Sequence, residues 1–89
     1  MATYAKPKNQ SIKEVYWSVG GAVLLRSIVG QDSNIKGMRV YNGFISAETA
    51  REYGNKILDF LKKYPNHENF AWLKHKAKFF LECQGFWQY

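Results

Sequence analysis

The run Val15-Tyr16-Trp17-Ser18-Val19-Gly20-Gly21-Ala22-Val23-Leu24-Leu25-Arg26-Ser27-Ile28-Val29 decides how this chain divides into elements. It is rich in β-branched and aromatic residues, and two adjacent glycines split it. Gly-Gly between such runs is a hairpin signal, because primed turns need positive φ and glycine adopts it freely. Before the glycines, Val15, Trp17 and Val19 alternate with Glu14, Tyr16 and Ser18. After them, Ala22, Leu24, Arg26 and Ile28 alternate with Val23, Leu25 and Ser27. The competing reading is one helix across Gly20-Gly21. Two glycines in a helix interior cost roughly 2 kcal/mol, so the strands are preferred.

Working outward, Gly30-Gln31-Asp32-Ser33-Asn34 reads as a polar turn, and Ile35 to Phe44 as a third strand. Ser46 is placed to cap a first helix, with Glu48 suited to its positive end. Ala50, Gly54, Ile57, Leu58 and Leu61 recur at helical spacing, and Tyr64-Pro65 ends the run. A second helix is expected from Asn66 to about Gln84, with Phe70, Leu73, Ala77, Phe80 and Leu81 on one face. Gly85 is its stop. Met1 to Gln10 lacks periodicity, carries Lys6-Pro7-Lys8, and reads as a flexible basic arm. The expected fold is therefore α+β, a three-stranded antiparallel β-meander followed by two α-helices. It has an arm over 1–10 and one domain over 11–89.

The chain has 89 residues, and at that length about 60–65% of the unfolded surface is buried. Aromatic residues make up 17%, more than so small a core needs, which puts some rings at the surface. The formal charge is +6. Residues 1–45 carry six basic and two acidic groups, and residues 46–89 seven and five. The positive first half suits a polyanion or an acidic protein surface. A single cysteine, Cys83, permits no internal disulfide and no cysteine-pair zinc site. The longest apolar run, Ala22 to Leu25, is too short to span a bilayer. The first residues have no secretory pattern. A cytoplasmic protein without a membrane partner is expected.

Catalytic chemistry finds little footing. His67 and His75 stand too far apart along the second helix to share a metal, and Cys83 has no base placed beside it. Gly20-Gly21 lacks the phosphate-loop pattern. No cofactor, metal or catalytic residue is assigned, and the chain reads as a binding module and not an enzyme.

Two surfaces are candidates. Lys6, Lys8, Lys13, Tyr16, Arg26, Lys36 and Arg39 fall on the arm and the expected sheet, where they suit phosphates and bases. Trp72, Lys76, Phe79 and Cys83 fall beside the core face of the second helix, and Phe86, Trp87 and Tyr89 follow it. Together they suit a protein contact, as in a small phage-style inhibitor or adaptor, or a homodimer; the alternative is that the tail folds back and covers the same helical face. Locally, Tyr41-Asn42-Gly43-Phe44-Ile45-Ser46-Ala47-Glu48-Thr49-Ala50-Arg51-Glu52-Tyr53 resembles the strand-to-helix junction of three-stranded-sheet DNA-binding domains. Those include plant ethylene-response-type domains and the amino-terminal domains of some phage integrases. The helix spacing is one residue short of the plant pattern, and the arginine-rich strands are missing. The resemblance is confined to this junction and assigns no family.

Overall fold

The computed structural model describes residues 2–31, 33–36 and 43–89. In chain order the elements are β1 (Ala2–Pro7), β2 (Val15–Ser18), α1 (Val19–Val29), β3 (Gly43–Ile45), α2 (Ala47–Lys63), α3 (Phe70–Glu82) and β4 (Phe86–Gln88). The fold is α+β, with one antiparallel sheet in the order β2-β1-β4-β3 and three helices. The expected three-stranded meander with two helices matches it only roughly. Among the described residues, no helix is long and apolar enough to cross a membrane.

The largest departure is at Gly20-Gly21, which begin a helix and do not turn a hairpin. Ser18 is extended (φ −79°, ψ 176°), and its hydroxyl oxygen accepts from the Gly21 amide at 3.1 Å. Both glycines therefore sit in the first turn of α1, whose amides have no intrahelical acceptor, so the cost of an interior glycine does not apply. Gly21 is glycine for a different reason. A Cβ there would lie 3.0 and 3.1 Å from the Trp72 indole and 3.1 Å from Trp17 Cβ. Downstream, Ala22, Leu25 and Val29 are buried at spacings of three and four. In a run so uniformly apolar, the helical period and strand alternation select overlapping residues.

The second departure is at the two ends. Residues 2–7, expected as an arm, form an inner strand with Thr3, Ala5 and Pro7 turned to the core and Tyr4 and Lys6 outward. The aromatic tail forms β4, which pairs with β1 through Ala5–Gln88, Lys6–Trp87 and Pro7–Phe86. Tyr4 and Tyr89 extend this ladder, each amide donating to the other's carbonyl at 2.8 and 3.0 Å. Of the strand expected from Ile35 to Phe44, Gly43 and Phe44 belong to β3, Ile35 and Lys36 lie in a loop and not a strand, and residues 37–42, with Met38, Arg39, Val40 and Tyr41, lie outside the described residues.

Helix α2 follows its sequence signals closely. Ser46 caps it, with its hydroxyl accepting from the Thr49 amide at 3.2 Å, and Tyr64 ends it before Pro65. Ala50, Tyr53, Gly54, Ile57 and Leu61 are buried. Helix α3 begins at Phe70 and not Asn66. The intervening residues turn instead, with His67 Nδ1 accepting from the Asn69 amide at 3.0 Å. Gln84 (φ +60°) and Gly85 (φ +96°) reverse the chain from α3 into β4. A side chain at Gly85 would also collide with the Phe44 ring. The helices cover one face of the sheet, where Trp17, Phe80 and Phe86 pack with ring centroids 5.5–6.3 Å apart.

Residues 33–36 are pinned from several sides. Trp17 Nε1 donates to the Lys36 carbonyl at 2.7 Å, and an Arg26 guanidinium nitrogen donates to the Ile35 carbonyl at 3.1 Å. Gln88, buried on β4, donates to the Asn34 carbonyl and accepts from the Lys36 amide. The polar side chains satisfy a segment that has no ladder of its own in these residues.

Helices α2 and α3 meet at Gly54, where a Cβ would fall 2.7 Å from Leu81 Cγ and 3.1 Å from the Ala77 carbonyl oxygen. Gly54→Val should therefore lower stability by about 2–3 kcal/mol through overpacking, despite replacing a mid-helix glycine. Thermal melting checks this, and an unchanged or higher Tm would contradict the close approach. Ser18→Ala should cost about 1 kcal/mol by removing the cap of α1. In a hairpin, where that hydroxyl caps nothing, urea melts of the two proteins would coincide.

Candidate functional site

Strict alternation divides the sheet into a core face and an outer face. On the outer face β1 contributes Tyr4 and Lys6, β2 contributes Tyr16 and Ser18, β3 contributes Phe44, and β4 contributes Trp87. Tyr89, just beyond β4, continues the same alternation. Register brings these side chains into two rows. Tyr16, Tyr4 and Tyr89 form one, with centroid separations of 5.9 Å and 5.7 Å. Lys6, Trp87 and Phe44 form the other, with Phe44 and Trp87 5.0 Å apart. Four of the rings are open to solvent, from 37% for Trp87 to 61% for Tyr16. Large rings are normally the first to be buried. Here five share a face that no described helix covers, and their neighbours are lysines.

Lys8 and Lys13 are exposed near the end of β1 and in the connection to β2. Lys36 is exposed beside the pinned loop. Beside this face Glu14 accepts a hydrogen bond from the Tyr89 hydroxyl. That bond holds the Tyr89 phenol above its ordinary pKa, with slight desolvation adding to it.

Tyr16 sits on the edge strand β2 and links the outer face to a second feature. A cavity of 480 Å³ lies beyond that edge, lined by Tyr16, Ser18, Gly20, Asn69, Trp72 and Lys76, among others. Lys76 is only 6% exposed. Its ammonium stands 5.0 Å from the Trp72 ring centroid and 5.9 Å from that of Tyr16. Burial pushes its pKa below the usual lysine value.

The residues selected from sequence are thus redistributed. Lys6, Tyr16, Trp87 and Tyr89 are brought together on the outer face, with Lys8 and Lys13 nearby. Arg26 is not on the sheet at all; it lies on α1 and holds the 33–36 loop. Arg39 lies outside the described residues. Phe79, Cys83 and Phe86 are core residues and do not form an exposed patch. The α3 face is thereby reduced to half-buried Trp72 and buried Lys76, which line the cavity. Burial also raises the Cys83 thiol pKa, which suits packing more than reactivity.

Tyr4 and Phe44 escaped the sequence reading. The signal for Tyr4 was present in Thr3-Tyr4-Ala5-Lys6-Pro7-Lys8, where small or apolar residues alternate with a ring and two lysines.

A lysine whose folded pKa lies below its unfolded value binds fewer protons when folded. Stability therefore rises with pH between the folded pKa and about 10.5, and below that range the partly desolvated charge is a standing cost. Lys76→Met should melt at a higher temperature than the wild type at pH 7, and the gap should narrow as pH approaches 10.5. Melting curves across that range check the sign, which a lower Tm for the variant throughout would reverse. No protein-family model matches the chain, and neither the curated proteins nor the solved structures give a significant match.

Proposed function

We propose that this protein is a non-catalytic module that binds single-stranded nucleic acid across the outer face of its sheet. The observation that carries the reading is the pair of aromatic rows, Tyr16-Tyr4-Tyr89 and Phe44-Trp87, laid open beside Lys6. Every base has a π-face, so exposed rings on a sheet form stacking positions that tolerate sequence. Lysines around them meet the backbone phosphates. The spacing of the strands, about 4.8 Å, sets neighbouring rings at separations that suit successive bases. The +6 charge attracts the strand from a distance, and Glu14 marks a point where phosphate is disfavoured.

An aromatic face also suits a protein partner, as in the inhibitor reading. Lysines within and around the rows favour the nucleic acid, because charge is depleted from the cores of protein interfaces. Salt separates the two: phosphate contacts release counterions and weaken steeply with ionic strength, while ring-in-pocket contacts weaken little.

Fluorescence anisotropy with a labelled single-stranded oligonucleotide at low salt tests the proposal. Trp87→Ala and Tyr4→Ala should each weaken binding by about 1–3 kcal/mol with little loss of stability, since both rings are exposed. Lys6→Ala should lower the salt slope by about one unit. Wild-type protein with no affinity for single strands at low salt would remove the reading, as would full affinity in the Trp87→Ala, Tyr4→Ala double variant.

A further inference from the structure

The cavity beyond β2 shares Tyr16 with the outer face of the sheet, and the chemistry of its other walls is distinct. Its walls are two aromatic rings, Tyr16 and Trp72. One end is the N-terminus of α1, where the first-turn amides lack intrahelical acceptors and no acidic residue offsets the dipole. Ser18 takes only the Gly21 amide. Asn69, at the start of α3, also lines the cavity, and its side chain makes no capping bond. The decisive group is Lys76. Its side chain is more than nine-tenths buried, its ammonium still reaches the open space of the cavity, and among the described residues that ammonium makes no hydrogen bond and no ion pair. Its neighbours are the faces of the two rings.

An ammonium that has lost part of its water to two ring faces, and has no carboxylate beside it, is a ready partner for an anion that enters the cavity. A helix N-terminus is a ready anion site for the same partner. Gly20 leaves open space at that terminus, since a Cβ there would meet only Ser18 Oγ, at 3.8 Å.

We infer that this cavity binds a phosphate monoester carried on a planar ring system, such as a nucleotide. The phosphate pairs with Lys76 and the first-turn amides of α1, and the ring lies against Tyr16 or Trp72. A monoester fits better than an internal phosphodiester because its second charge is compensated by both the ammonium and the helix dipole. The site stands apart from the reading of the sheet face. Its ligand has two sources, a free nucleotide or the phosphorylated end of a strand that crosses Tyr16 at the sheet edge.

Titration of ¹⁵N-labelled protein with adenosine 5′-monophosphate, adenosine and inorganic phosphate, followed at the tryptophan indole N–H resonances, tests the site. The monophosphate should shift the Trp72 resonance saturably and bind at least tenfold tighter than adenosine. Lys76→Met should abolish that preference. Gly20→Asp should abolish it too without lowering the Tm, because an acid in the first turn supports the helix while repelling phosphate. An oligonucleotide with a 5′- or 3′-phosphate that outcompetes its hydroxyl-ended counterpart tenfold, in the wild type but not in Lys76→Met, identifies the strand end as the source. Equal affinity for both ends, with the monophosphate preference retained, identifies the free nucleotide. Equal binding of adenosine and its monophosphate, or a preference that survives both substitutions, overturns the site whether or not strands bind the sheet.

Discussion

The pairing of β1 with β4 is the constraint on which the rest depends. It places the first and last strands side by side at the centre of the sheet, flanked by β2 and β3. Without it, Trp87 would lie far from Lys6, and Tyr4 would lose both Tyr89 and half its ladder. The same pairing sets the core. Ala5, Phe86 and Gln88 turn inward together, Phe86 completes the ring cluster with Trp17 and Phe80, and Gln88 reaches the 33–36 loop. Because this contact joins remote parts of the sequence, its closure entropy must be met by packing that forms at the same time. The aromatic density of the inner face, with Phe79, Phe80 and Phe86 in mutual contact and Trp17 against Phe80 and Phe86, provides that packing.

A sheet covered by helices on one side only leaves its other side to be either polar or functional. In this chain the open side keeps five aromatic rings. Tyr16 is the pivot, since it touches Tyr4 on the outer face and stands over Lys76 at the edge. The outer face and the cavity are thereby neighbours, although one belongs to the sheet and the other to the gap between α1 and α3. The position of Trp72 in that gap depends on Gly21, which lets the indole approach the helix backbone.

The parts legible in sequence were those governed by local rules. Helix α2 carries a serine cap, an acid in its first turn, a stripe at helical spacing and a proline stop, and each signal agrees with the others. The α1 region carried conflicting signals. Gly20-Gly21 is both a turn motif and a tolerable first helical turn, and the Ser18 cap together with the close approach of Trp72 to Gly21 goes with the helix. The chain ends were misread for a related reason. The alternation over Thr3 to Lys8 is short and broken by a proline, three residues of β4 show almost none, and what pairs the two strands is each other. The candidate site suffered accordingly. Lysines and Tyr16 were identified from charge and alternation, but Tyr4 and Phe44 become neighbours of Tyr89 and Trp87 only through register. For Phe79, Cys83 and Phe86 the sequence left open an exposed patch or cover by the tail, and Phe86 of β4 packs against Phe79 and Phe80 in the core.

The central claim is that the outer face of the β1–β4 pair is the binding surface. Chemical-shift mapping of the ¹⁵N-labelled protein with a short single-stranded oligonucleotide addresses it directly. The account predicts saturable shifts concentrated at Tyr4, Lys6, Tyr16, Phe44 and Trp87, with the outer faces of α2 and α3 unperturbed. Shifts confined to the exposed side of α2 and α3, or none at all at low salt, would contradict it.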